Sequence, residues 1–362
     1  MYTPWLQAAG YSPGDLPEGS FGKQLASSVA PDTQVALVGV DAQVADRVRG
    51  HLYRHFWDQG DLRVIDLGNL RKQNADFAVP LIRELHTSRI LPVLLGGSIA
   101  GAASQYLAFA DLNREVGVGV IDSAVRLNYG PQEVSRSAFL DRAVHRVAPP
   151  PFHLAHIGDQ RHLSDPRLDG LFLQRNYERY PLGRSRADLS DLEPAIRDVD
   201  CCILNICAVL AAESPGQEFL TPSGFSLQEA GQLAYYAGNS DRLSSFGVYG
   251  YAPDQTDTHQ SAVTAAAYAQ LIWYFLHGVS HRHADFPATT TGLVEYVVDS
   301  KSADRFTFWR SPRSNRWWVQ VPLDRHRGEE RNRLVACSYA DYLATSQEGR
   351  LPERLYHAFS RY

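Results

Sequence analysis

Long apolar runs are missing from this chain. No stretch of its 362 residues approaches the ~20 consecutive apolar residues that a membrane-spanning helix requires, so no membrane insertion is expected. The opening residues Met1-Tyr2-Thr3-Pro4-Trp5 lack a basic segment followed by an apolar one, and no secretory leader is read there. Cysteine is scarce, with Cys201 and Cys202 adjacent and Cys207 and Cys337 standing alone. That pattern is neither a disulfide framework nor a zinc spacing, and it predicts a reducing, cytoplasmic setting. Excess positive charge is also absent. A formal net charge of −5 and a pI near 6.2 leave no electrostatic footprint for a nucleic-acid partner. Internal repeats and low-complexity segments are missing too.

What is present is a globular composition, 44% hydrophobic and 21% charged, enough for a packed core. After a Gly- and Pro-rich stretch over 1–32, read as an irregular arm, short apolar runs recur at 35–40, 62–67, 91–95, 116–121, 154–158, 201–209 and 245–251. Runs apolar at nearly every position fit strands buried on both faces. Helix-length amphipathic segments follow at 41–57, 78–88, 100–113, 227–238 and 260–275. The alternation predicts an α/β fold over 33–285, a three-layer α/β/α sandwich with a mainly parallel sheet. From 286 to 362 the character changes. Three strands at 293–298, 305–309 and 316–321, then helices or turns near 338–344 and 352–359, predict a β-meander with a helical tail.

Three segments lie at the carboxyl ends of predicted strands, where open α/β sheets build their sites. They are Leu94-Leu95-Gly96-Gly97-Ser98-Ile99-Ala100, Val120-Ile121-Asp122-Ser123-Ala124-Val125-Arg126 and Leu204-Asn205-Ile206-Cys207-Ala208-Val209. In order and spacing they resemble the signature of the ureohydrolases, the arginase, agmatinase and formimidoylglutamase superfamily. That family hydrolyses guanidino and amidino groups with two bridged manganese ions, held by Gly-Gly-Asp-His, Asp-x-His-x-Asp and Asp-x-Asp motifs. Ser214-Pro215-Gly216 and Thr221-Pro222-Ser223-Gly224 extend the likeness through the loop after the second metal strand. The resemblance covers roughly 33–285 and implies the arginase-like fold. With its Trp-rich tail, the whole chain looks most like a divergent arginase-like group from Bacteroidota, often labelled formimidoylglutamase.

The same resemblance implies that the metal site is degenerate. Mapped by motif, the expected ligands fall on Ile99, Asp122, Ala124, Arg126, Asn205 and Cys207. Of these only Asp122 keeps its type. The glutamate that anchors a guanidinium in the family falls on Gly250. Hard divalent ions want several oxygen and imidazole donors, so no metal and no other cofactor is expected. Asp122 and Arg126 balance each other in charge, and an ion placed beside Arg126 would leave a buried positive charge unpaired.

Each feature has a bland reading and a sharper one. Asp122 with Arg126 reads as a structural ion pair, or as part of a ligand site with Gly96, Gly97 and Ser98, whose turn before a helix could cradle an anion. Cys207 reads as a buried inert thiol, or as a nucleophile, for which no motif supplies a neighbouring base. His153 and His156, three apart on a strand, should face opposite sides. His281 and His283 flank Arg282 in a polar loop and could bind metal adventitiously, and none of these histidines reads as a ligand cluster. The leading expectation is a non-catalytic pseudoenzyme acting as scaffold, partner subunit or ligand sensor, with a protein partner or a homo-oligomer. The alternatives are a carbon–nitrogen hydrolase with a rebuilt site, and a binding protein for a small anionic or amino-acid ligand.

Overall fold

The computed structural model describes residues 2–11, 14–109, 115–133, 135, 138–146, 150–299, 305–321, 334–349 and 351–361. Nine strands form its main sheet: β1 (Leu6–Gln7), β2 (Val35–Gly39), β3 (Val64–Leu70), β4 (Leu91–Leu95), β5 (Gly117–Ile121), β6 (His153–Ile157), β7 (Glu178–Tyr180), β8 (Cys201–Asn205) and β9 (Ser245–Tyr249). Their order is β1-β3-β2-β4-β9-β8-β5-β6-β7. Short β1 runs antiparallel to β3, and the other neighbours are parallel.

Strands β2, β4, β5, β6, β8 and β9 are buried at every residue. Helices on both faces impose this, and the unbroken apolar runs are its sequence trace. Val35 and Leu37 pack into one layer with Val48, Ile196, Leu233 and Phe275, from the helices Ala42–Leu52, Glu193–Arg197, Leu227–Gly238 and Thr258–Ser280. Ala36 and Val38 face the other layer, with Leu81, Tyr106 and Phe172, from Ala75–Thr87, Ala103–Leu107 and Leu168–Gln174. Asp41, Asn74, Ser226 and Asp257 start four of these helices by accepting a first-turn amide, which satisfies donors the helix leaves orphaned. The architecture is the three-layer sandwich that the alternation predicts.

Some elements differ from the sequence reading. The helix expected over 100–113 is a 3₁₀ turn, Ile99–Ala102, running into Ala103–Leu107, and residues 110–114 lie outside the described residues. The arm over 1–32 contributes β1 and a short helix, Phe21–Gln24. The polar edge strand β7 has no apolar run to announce it.

The C-terminal meander has four strands rather than three: β10 (Val294–Asp299), β11 (Arg305–Arg310), β12 (Trp317–Gln320) and β13 (Leu334–Cys337), antiparallel and in that order. The helices Tyr339–Glu348 and Glu353–Phe359 follow. One face packs Phe308, Trp317, Val319 and Val335 against Leu355 and Ala358. Trp318 lies on the other face, with the Arg197 guanidinium 4.6 Å from its ring centre. Arg197 also donates to the carbonyls of Trp317 and Cys337, tying this sheet to the sandwich. Among the described residues no helix is long and apolar enough to cross a membrane.

Candidate functional site

The three motif segments meet at the carboxyl ends of β4, β5 and β8. β4 runs into Gly96-Gly97, and both glycines are enforced by packing. A Cβ on Gly96 would stand 2.1 Å from the Tyr249 ring, and one on Gly97 would stand 2.7 Å from the Asp41 carboxylate. The Gly96 amide donates to the Tyr268 hydroxyl at 2.7 Å, and the Gly97 carbonyl accepts from the Gly250 amide at 2.6 Å. Ser98 and Ile99 open the following turn. The Ser98 hydroxyl and the Ile99 amide both donate to the Glu218 carboxylate, at 2.8 and 3.0 Å. An anion does sit at this turn, and it is the protein's own. The Ile99 side chain is wholly buried in the core.

β5 runs into Asp122, which is fully buried. Its Oδ2 accepts from the Asn205 amide at 2.8 Å and from Arg126 Nε at 3.3 Å. Its Oδ1 accepts from the Ser123 hydroxyl and the Ala124 amide, each at 3.3 Å. Four donors thus converge on one carboxylate. Arg126 stacks on the Phe219 ring, its guanidinium 4.3 Å from the ring centre. The Ala124 side chain is buried and offers no donor. Below it, the carbonyl of Ala124 accepts from His156 Nε2 at 3.2 Å. Burial holds the His156 imidazole below its ordinary pKa, so it sits there neutral.

β8 ends in Asn205, whose Oδ1 accepts the Cys207 amide at 3.1 Å. The Cys207 thiol is buried 3.8 Å from the Gly250 carbonyl. Burial first, and the Asp122 charge second, push the thiol up to about 12, so it stays protonated at neutral pH. Gly250 has a φ of +83°. A Cβ there would lie 1.9 Å from Asn205 Oδ1, so Asn205 and a side chain at 250 cannot coexist without rearrangement.

The loop after β8 closes the cleft. Gln217 donates to the carbonyls of Ile206 and Val209, at 3.0 and 2.6 Å. The Thr221 hydroxyl donates to the Cys207 carbonyl at 2.9 Å. The Glu218 amide donates to the Gly250 carbonyl at 2.7 Å, which delivers the Glu218 side chain to Ser98 and Ile99. Of the predicted positions, Asp122, Arg126 and Asn205 are bonded together, and Cys207 and Gly250 lie against Asn205. Gly96, Gly97, Ser98 and Ile99 form the adjoining turn. Sequence reasoning did not single out Gln217, Glu218 or Phe219, whose only signal is their place inside the Ser214–Gly224 loop.

The histidines separate as alternation requires: His153 reaches Glu178 on β7 at 3.3 Å, while His156 turns to Ala124. His281 pairs with His277, one helical turn before it, with ring centres 4.4 Å apart.

A bridged pair of hard divalent ions does not fit these residues. The one carboxylate at the motif positions is already bonded to four donors, one of them cationic. Among the described residues no three or more His, Cys, Asp or Glu side chains converge where a metal could be held.

No protein-family model matches the chain, and no curated protein matches it by sequence. Solved structures do match by shape. The formiminoglutamase of Trypanosoma cruzi with Mn²⁺ superposes with a TM-score of 0.62 at 14% identity, over 74% of this chain and 100% of that one. Arginase from Bacillus subtilis gives 0.58 at 17% identity, over 67% and 98%. The agmatine ureohydrolase of Thermoplasma volcanium gives 0.55 at 12% identity, over 74% and 95%. At such identities the likeness is one of fold, and the fold of this chain is that of the arginase superfamily.

Proposed function

We propose that this protein is a non-catalytic relative of the ureohydrolases, a pseudoenzyme that acts as a scaffold, partner subunit or ligand sensor and holds no manganese. One observation carries the reading. Asp122 is buried and bonded to Arg126, Asn205, Ser123 and the Ala124 amide. A guanidinium stands where the family's pattern places a ligand carboxylate, so the positive charge is supplied by the chain itself. Arg126 and a divalent ion would compete for the same carboxylate, and the ion would need further donors that Ile99 and Ala124 cannot give.

The alternatives have less behind them. A cysteine-based hydrolase needs a thiolate and a base, and the Cys207 thiol is buried and pushed up to about 12. A small anion in the cleft would have to displace Glu218 from Ser98 and Ile99. The four cysteines are free and buried, in keeping with a reducing, cytoplasmic setting. An assembly with a protein partner or with further copies goes with the scaffold role.

The test is elemental analysis of protein purified with Mn²⁺ present, with assays on arginine, agmatine and formimidoylglutamate. The expected outcome is no stoichiometric manganese and no turnover. Two Mn²⁺ per chain, or turnover abolished by a chelator, would overturn the reading. Restoring one ligand, as in Ala124→His, should not recover binding, since a site needs several donors at once.

A further inference from the structure

We propose that His277 and His281 form a binding site for a borderline divalent ion of the Zn²⁺, Ni²⁺ or Cu²⁺ class. The site lies at the opposite end of the sheet from the closed cleft. The helix Thr258–Ser280 leaves the carboxyl end of β9 and runs back along the sheet, so its last turn sits by the strands' amino ends. There Asp58, Gln59 and Ser280 line the rim of a cavity of about 690 Å³. The two histidines are four apart at the helix end, which puts them on one face. Their ring centres are 4.4 Å apart, close enough for one ion to meet both imidazoles. Histidines at this spacing on a helix are a known means of holding zinc.

Three further features build the site. His281 Nδ1 lies 2.8 Å from the His277 carbonyl. A carbonyl only accepts, so Nδ1 carries the hydrogen and Nε2 presents its lone pair, the orientation by which protein carbonyls prepare metal-binding histidines. Trp273 stacks on His277 at 5.1 Å, and Tyr235 lies 5.6 Å from His277 and 6.3 Å from His281, fixing the rings from the side. The charge of Asp58 acts on His277, and the carboxyl end of a helix favours a cation.

Two imidazoles leave the remaining positions of the ion to water, so affinity should be modest beside a site of four protein ligands. Imidazole suits zinc, nickel and copper, whereas manganese prefers oxygen. The site therefore stands or falls independently of the cleft.

Trp273 is a built-in reporter. Untagged full-length protein is titrated with Ni²⁺ and with Zn²⁺, following tryptophan emission for Ni²⁺ and equilibrium dialysis for both. The expected result is saturable uptake of a single ion, with Ni²⁺ quenching emission. His277→Ala or His281→Ala should weaken binding by at least about tenfold, the smallest loss seen when even the outer support of a metal site is removed. His283→Ala should leave it unchanged, and Trp273→Phe should lose most of the quenching while keeping uptake. His281→Gln retains bulk at the helix end if the alanine variant melts early without metal. Absence of saturable uptake would overturn the proposal, as would uptake equal to wild type in the His277 and His281 variants.

Discussion

Among the buried aspartate–arginine pairs of this molecule, two are built in opposite ways. Arg49, on the helix Ala42–Leu52, is wholly buried against Asp66 of β3, which keeps 10% of its side chain exposed. Two contacts join them, at 2.7 and 2.9 Å. Arg49 also donates to Asp46, Asn69 and the Gly68 carbonyl. At the cleft the roles reverse. Asp122 is the sealed partner, Arg126 keeps 12% exposure, and one contact of 3.3 Å joins them. The first pair is a fork of charge-assisted bonds around a desolvated guanidinium. In the second, a carboxylate is held largely by neutral donors, with the arginine closing over it. The first is a structural tie; under the function proposed above, the second is a site whose cation has been exchanged for a side chain.

The largest expected effect comes from that contrast. Arg49→Ala takes the guanidinium from Asp66 and Asp46, leaving them only neutral donors such as the Tyr53 hydroxyl and the Gly68 and Gly10 amides, and empties a filled volume. It should cost about 3–5 kcal/mol, the range for breaking a buried pair from one side. Arg126→Ala should cost less, about 2 kcal/mol, because Asn205 and the Ala124 amide still hold Asp122. Double-mutant cycles in urea unfolding would compare the couplings of Arg49 with Asp66 and of Arg126 with Asp122. The second coupling should be the smaller and still above about 0.5 kcal/mol, the level expected for residues in contact. Strict additivity at Asp122 and Arg126 would mean that the two side chains do not meet. Equal couplings would erase the distinction between tie and remnant.

How much of this was legible in the sequence depends on range. The runs that became β2, β4, β5 and β8 were readable because burial on both faces makes every position apolar. Asp122 and Arg126 were readable as a pair from their spacing of four and their shared charge balance. The bond from Asn205 to Asp122 joins residues 83 apart, and no local pattern announces it; the motif resemblance alone put the two in one cleft. Glu218 was not legible, since its role depends on a loop path set by Gln217, Thr221 and Gly250. The fourth meander strand, Leu334–Cys337, is a four-residue apolar run next to a helix start, too short to weigh as a strand. The Arg49 network escaped notice because a single arginine in an amphipathic helix reads as its solvated face.

Acid sharpens the comparison at a smaller scale. His156 lies under the Asp122 pair, and burial holds it well into its neutral form. In the unfolded chain it would titrate near its ordinary value of 6.5. The native state therefore takes up a proton only at lower pH than the unfolded state does. The stability this contributes is complete above 6.5 and falls as pH drops below it, by at most about 1.4 kcal/mol per pH unit for one histidine. His153, likewise kept neutral by burial, adds its own share. His156→Phe should flatten the pH slope of unfolding free energy below pH 6.5 by less than one proton and leave the rest. An unchanged slope would mean that His156 titrates alike in the native and the unfolded chain, and so that burial does not keep the floor of the cleft neutral.

The smallest effect concerns Glu218. Its carboxylate bonds Ser98 and Ile99, at the start of a 3₁₀ turn, while its own amide is held by Gly250. Glu218→Gln keeps the shape and one acceptor and removes the charge. Because the Ser98 contact is solvent-exposed, the loss should be about 1 kcal/mol or less, readable as a small drop in the urea midpoint with an unchanged slope. The response of the variant to added anions is more informative than the loss itself. With the internal carboxylate weakened, Ser98 and the Ile99 amide become available to an external anion, so phosphate or a carboxylic acid should stabilise the variant more than the parent chain. If added anions stabilise both proteins equally, Glu218 does not fill the turn, and the cleft is open to small ligands. If they stabilise only the variant, the cleft is shut by its own loop, and anything this protein recognises must be met elsewhere on its surface.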